Sequence, residues 1–170
     1  MLAYDQFETP HGTMLVTATD KGLAGVYFKG QKHFPKSRDG QRNWKRNPGH
    51  PVLRQAKREL AEYFAGKRQR FDLALDPQGT PFQRSVWKAI SKVGFGKTTT
   101  YSELARRAGH AGSARAAGAA TGRNPLGIIV PCHRIMGANG SLTGYAGGLA
   151  RKRALLELES CLPFSESLSR

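Results

Sequence analysis

Thiols are scarce in this 170-residue chain: Cys132 and Cys161 are the only two, and neither belongs to a Cys-x-x-Cys pair. With five scattered histidines, that spacing argues against a structural zinc site. The N-terminus lacks the charged-then-apolar order of a secretory leader, so the expected compartment is the cytoplasm, where thiols stay reduced. No hydrophobic run is long enough to span a bilayer. Acidic side chains are few, 12 against 27 Lys and Arg, which leaves a net charge of +15. The imbalance is not confined to a tail, because residues 1–76 hold 14 basic and 8 acidic groups while residues 77–159 hold 12 and 3. A polyanionic partner, nucleic acid before membrane, is the natural inference, and a basic surface kept for solubility is the plain alternative.

What is present describes a globular protein. Hydrophobic content is 39%, and the length suffices for one core or two small ones. Met14–Thr17 and Leu23–Phe28 are short β-rich runs separated by the turn residues Asp20, Lys21 and Gly22. Residues 29–50 turn basic and poor in apolar positions, which predicts a surface loop, with the run Lys29–Arg46 solvated. Leu53, Ala56, Leu60 and Phe64 share one helical face that stops at Gly66, and Phe71–Leu75 reads as another strand. Asp76-Pro77-Gln78-Gly79 punctuates the chain and places a domain boundary between residues 76 and 77.

Beyond it the pattern is helical. Thr80 and Pro81 suit a helix start, and Phe82, Val86, Ile90 and Val93 form its apolar stripe, ended by Gly94-Phe95-Gly96. A second helix opens at Thr100-Tyr101. After the glycine break at 109–112, Ser113 is placed to cap an alanine-rich third helix running to about Arg123. Two short helices joined by such a turn suggest a helix-turn-helix. The small residues from Ala114 to Ala120 permit close approach, and Gly118 is tolerated at roughly 1 kcal/mol relative to alanine. Arg115 stands alone among them, suited either to a surface carboxylate or to a groove in DNA.

The chemistry concentrates at Pro131-Cys132-His133-Arg134, led in by the apolar run Ile128–Val130, which suits a buried strand. A thiol is a weak nucleophile near neutral pH until a base takes its proton, and an imidazole is that base. Sequence neighbours rarely aim at one point, so the expected link between Cys132 and His133 is a water or the backbone. A small buried cysteine beside a surface histidine is the bland alternative. Trp44 and Trp87 are expected to pack rather than stack on bases, Cys161 to be a bystander, and His11, His33, His50 and His110 to lie on the surface.

Six stretches, in order and spacing, carry a resemblance: Gly79–Gln83, Tyr101–Ala105, Ala114–Ala116, Arg123–Pro125, Pro131–Arg134 and Gly140–Leu149. The segment from Thr80 to Glu159 strongly resembles the methylated-DNA–protein-cysteine methyltransferases, the 6-O-methylguanine-DNA methyltransferases, especially bacterial stand-alone members. The N-terminal half matches more loosely, through its strands and Glu62–Gly66.

That resemblance implies an α/β domain with a ribonuclease-H-like sheet over residues 1–76. It implies a mainly α, winged-helix-like domain with a helix-turn-helix over residues 77–170. It further implies irreversible, single-turnover transfer of an alkyl group from the 6-oxygen of guanine in DNA to Cys132, with base flipping. The 4-oxygen of thymine as a second target and the range of alkyl groups stay open. His133 with Glu159 behind it would be the relay that deprotonates Cys132 through a water. Tyr101 would hydrogen-bond the damaged base and help neutralise its leaving charge, and Asn124 would hold the active-site turn. Arg115 would fill the vacated stack, with Ser113, Ala114 and Tyr101 on the DNA side. Tyr145, Ala146 and Gly147, continuing to Gly148, would close the base pocket. Ala146 replaces a serine found in some members, which puts one hydrogen bond to the base in question.

No cofactor is implied. Some members carry zinc in the N-terminal domain, but the cysteines for it are missing here, so no metal is expected. The expected partner is double-stranded DNA carrying alkylated guanine, met by a monomer and without a membrane. The remaining rivals are a non-catalytic helix-turn-helix or damage-flagging protein and a cysteine hydrolase. The first leaves Cys132 beside His133 unexplained, and the second leaves the charge unexplained.

Overall fold

The computed structural model describes residues 2–35 and 44–160. Cys161 and the middle of the basic loop, residues 36–43, lie outside the described residues. The chain divides into two compact units, residues 1–80 with 125–129, and residues 81–124 with 130–170.

The first unit is a four-stranded sheet of order β3-β2-β1-β4, made of β1 (Leu2–Thr9), β2 (Gly12–Ala18), β3 (Leu23–Phe28) and β4 (Trp44–Arg46). The pairs β1–β2 and β2–β3 are antiparallel and β1–β4 is parallel. Helix α1 (Pro51–Phe64) covers the sheet with Leu53, Ala56, Leu60 and Tyr63 buried, each large apolar side chain contributing roughly 1.5–3 kcal/mol. His50 caps that helix by accepting from the Val52 N–H, so it has a structural task at the surface. Gly66, at φ +76°, takes the left-handed turn that ends the helix.

Three readings are corrected here. The strand β1 went unrecognised, because its polar, half-buried residues break clean alternation. The loop expected over 29–50 contains β4. Phe71–Leu75 is no strand: only Leu75 bridges to Leu23. Side chains occupy this stretch instead, with Glu59 accepting the Asp72 N–H and Gln55 donating to the Asp72 carbonyl.

The second unit holds α2 (Pro81–Ile90), α3 (Tyr101–Arg107), α4 (Ala114–Gly122) and α5 (Leu149–Leu158). A short parallel pair, β5 (Thr99–Thr100) with β6 (Ile135–Met136), ties the start of α3 to the segment after the cysteine. Val86, Trp87, Ile90 and Val93 are buried. Trp87 donates its indole N–H to the Ala120 carbonyl at 2.8 Å, fixing α2 on α4, a packing role. Thr100 caps α3 by accepting from the Glu103 N–H. Glu103 in turn pairs with Arg106 and Arg107, whose hydrogen bonds hold its carboxyl down at about 2. Ser113 precedes α4 as expected, but its side chain makes no capping bond. Among the described residues no helix is long and apolar enough to cross a membrane.

Candidate active site

Proline geometry sets the cysteine. Pro131 sits at φ −80° and ψ 67°, and the Cys132 N–H donates to the Val130 carbonyl at 2.8 Å, an inverse γ-turn that the pyrrolidine ring preorganises. A 3-10 turn follows over Cys132–Arg134. The run Ile128–Val130 is therefore not the strand its composition suggests. Ile128 takes φ +69°, and the Ile129 N–H closes on the Gly127 carbonyl, so the apolar residues are buried in tight turns. A β-branched residue in that region is strained.

Asn124 locks the same turn from outside, donating from Nδ2 to the Val130 carbonyl at 2.8 Å. Its side chain also hydrogen-bonds the Cys132 thiol and favours the thiolate, as does the charge of Lys152. Burial is the larger influence, so the thiol is held above its ordinary value. At 7% exposure, Cys132 rests as the thiol and needs a base.

His133 is buried completely. Its Nε2 donates to Glu159 Oε2 at 2.7 Å, leaving Nδ1 as the unprotonated nitrogen of a neutral ring. Nδ1 is buried and meets no hydrogen-bond partner among the described residues. Burial lowers the imidazole below its ordinary value, Glu159 opposes that shift, and Arg134 and Lys152 add to it.

Tyr101, the first residue of α3, is half-buried, and its hydroxyl donates to the Thr143 carbonyl at 3.4 Å. Burial raises its pKa, and a charge on Cys132 raises it further. Tyr145 stands edge-on to His133, with ring centres 6.5 Å apart. Ala146 is half-buried and Gly147 buried, its carbonyl accepting from Arg151. Tyr101 also lines a shallow groove with Ser102, Ala114, Arg115, Gly118 and Ala138. Arg115 is exposed there. Ser113 lies outside that lining. A Cβ on Gly118 would meet the Tyr101 ring at 3.6 Å, an ordinary contact.

Lys152 escaped the sequence reading, and Arg134 entered it only as part of the cysteine motif, with no partner assigned. Lys152 is fully buried, and its ammonium donates to the carbonyls of Ile135, Thr143 and Gly144, tying residues 143 and 144 to β6. Arg134 forks onto Glu159. The available signal was spacing, since Lys152, Leu155, Leu156 and Glu159 recur on one helical face. Among the described residues no group of three or more His, Cys, Asp or Glu is placed to hold a metal ion.

The arrangement is a buried thiol on a rigid turn, a neutral imidazole backed by a carboxylate, a phenol donor, and an adjoining groove with one free-standing arginine. Residues 2–77 match the model of the 6-O-methylguanine DNA methyltransferase ribonuclease-like domain, and residues 81–161 match that of the DNA binding domain. The methylated-DNA–protein-cysteine methyltransferase of Methanosarcina acetivorans is 46% identical over 160 residues, 93% of this chain and 99% of the relative. That of Mycobacterium tuberculosis H37Rv is 43% identical over 159 residues, 94% of this chain and 93% of the relative. The crystal structure of Mycobacterium tuberculosis OGT in complex with DNA superposes with a TM-score of 0.84 at 41% identity, covering 99% of both chains.

Proposed function

The chain belongs to the 6-O-methylguanine DNA methyltransferase family, and from that premise we propose that Cys132 is the atom at which its reaction ends. The reaction is direct-reversal repair, in which an alkyl group on guanine in DNA moves to a cysteine of the protein. The observation that carries the assignment is the pairing of a buried thiol, held by Asn124, with a neighbouring His133 whose Nε2 proton is committed to Glu159.

The steps follow from those groups. A water between them passes the Cys132 proton to His133 Nδ1, and Glu159 stabilises the imidazolium. The thiolate, a soft nucleophile, attacks the alkyl carbon as the carbon–oxygen bond breaks. The electron pair stays on guanine, and the Tyr101 hydroxyl, turned from Thr143, helps neutralise it. Net, one proton leaves the thiol and one reaches the base. The thioether has no easy leaving group, so each chain acts once. The target atom lies inside the duplex, so the base is flipped out at a few kcal/mol. Tyr145, Ala146 and Gly147 close over it, while Arg115, with Ser113 and Ala114 beside it, fills the gap from the minor groove. A reducing cytoplasm suits a free acceptor thiol.

The test mixes the protein with a duplex containing 6-O-methylguanine and locates the mass gain by peptide mass spectrometry. One methyl per chain on Cys132 is expected, with none in Cys132→Ser. Turnover beyond one per chain, or a methyl on Cys161, sinks the assignment.

A further inference from the structure

Glu159 is shared between an imidazole and a guanidinium. Its Oε2 accepts from His133 at 2.7 Å and from Arg134 Nη2 at 3.0 Å, while Oε1 takes Arg134 Nε at 2.7 Å. Arg134 is itself fixed, because Nη1 donates to the Val93 carbonyl at 2.6 Å and the guanidinium lies 5.8 Å from the centre of the Phe95 ring. The side chains of His133 and Glu159 are wholly buried and that of Arg134 is 7% exposed. Charge in so dry a place must balance locally. One carboxylate and one guanidinium, which keeps its proton throughout, already sum to zero with the imidazole neutral.

We propose that Arg134 is a positioning residue for the relay: by forking onto Glu159 it supplies the counter-charge that His133 would otherwise supply, and so keeps His133 neutral and able to accept a proton at Nδ1. This rests on the relay reading above, since an imidazolium cannot take the Cys132 proton. The neighbours of His133 divide by sign. Glu159 favours the protonated ring, while Arg134 and Lys152 oppose it. Cys132 adjoins it in sequence, and Tyr145 presents a ring edge. Lys152 cannot replace Arg134 as the partner of Glu159, because its ammonium is committed to three carbonyls. Without the guanidinium, the carboxylate would draw a proton onto His133.

The deciding experiment follows the His133 ring by NMR across pH in the wild type, Arg134→Gln and Arg134→Lys, alongside single-turnover methyl transfer. The wild-type ring should be neutral at pH 7. In Arg134→Gln its midpoint should rise by at least about one pH unit, and the acid limb of the transfer profile should move up with it. Arg134→Lys should hold the midpoint near wild type even where its rate is lower, because charge is kept and only the fork is lost. An imidazolium at pH 7 in the wild type overturns the proposal, as does an unmoved midpoint in Arg134→Gln. If Arg134→Gln does not fold, the wild type and Arg134→Lys decide alone. If the ring titrates as stated but His133→Ala transfers methyl at the wild-type rate, the relay reading fails while the charge-balance role of Arg134 stands.

Discussion

Lys152 and Glu159 lie two turns apart on one face of α5 and its cap, both buried, and each serves a different part of the site. The lysine holds the carbonyls of Thr143 and Gly144, and the carboxylate holds His133 and Arg134. One helix thus anchors both the segment at Thr143–Gly144 and the imidazole beside the thiol. Opposite charges on opposite tasks explain why a short helix carries two ionised groups that an apolar core would exclude.

A depressed lysine has a pH signature. Burial lowers Lys152 from its ordinary 10.5 to about 8, against a small opposing pull from Cys132. Between those values the unfolded chain binds more protons than the folded one, so the contribution of Lys152 to stability rises with pH from 8 to 10.5. Urea unfolding of the wild type should show that upward slope relative to Lys152→Met, which has nothing to titrate. The variant should also transfer methyl more slowly at pH 7, since it frees the Thr143 carbonyl that positions Tyr101 and removes a cation favouring the thiolate. Parallel stability curves for the two proteins would contradict the burial of the ammonium.

Asn124 should matter twice. Asn124→Ala removes one of two donors to the Val130 carbonyl, which keeps the Cys132 N–H, a loss of about 0.5–1.5 kcal/mol in unfolding free energy. It also removes a hydrogen bond that favours the thiolate, so transfer should slow by tenfold or more. Asn124→Asp is expected to be slower still, because a carboxylate repels the thiolate and cannot donate to Val130. Single-turnover rates with denaturant midpoints separate the two effects. A fast Asn124→Asp variant would remove Asn124 from the chemistry.

Local patterning made much of this legible, and long-range partnership hid the rest. The apolar faces of α1 and α2 and the runs in β2 and β3 are periodic, so they could be read directly. The acceptor motif, Asn124, Tyr101 and Arg115 followed from matching stretches. Phe71–Leu75 has strand composition, yet the side chains of Gln55 and Glu59 take its backbone groups, a contact composition cannot encode. Ile128–Val130 reads as a strand until the bend at Pro131 and the left-handed Ile128 are seen. Lys152 looks like a surface cation because the carbonyls it holds sit 8 to 17 residues away, and the partners of Arg134 sit 25 and 41 residues away.

Duplex affinity should be mostly electrostatic. With 12 basic and 3 acidic groups in residues 77–159, phosphate contacts dominate and sequence preference should be slight. The log–log plot of affinity against salt should fall with a slope of about −0.9 per phosphate neutralised. Fluorescence anisotropy from low to moderate salt measures it. A flat plot, or strong preference for one operator sequence, would favour a regulator over a repair protein.

Arg115 offers the sharpest separation of DNA handling from chemistry. It is exposed on α4 at a groove that also contains Tyr101, and the small residues around it leave it the longest side chain on that helix. If it occupies the space of the flipped base, Arg115→Ala should slow repair of a duplex substantially, because the empty stack restores the pull of the base back into the helix. Free 6-O-methylguanine needs no flipping and reaches Cys132 without a stack to fill, so its slower reaction should be nearly unchanged in the variant. Folding is controlled by the same comparison, since a misfolded variant loses both reactions together. Arg115→Lys keeps the charge but not the planar guanidinium, and should recover duplex affinity more fully than duplex repair. Equal losses on duplex and free base would assign Arg115 to the scaffold and leave the gap-filling role to another residue.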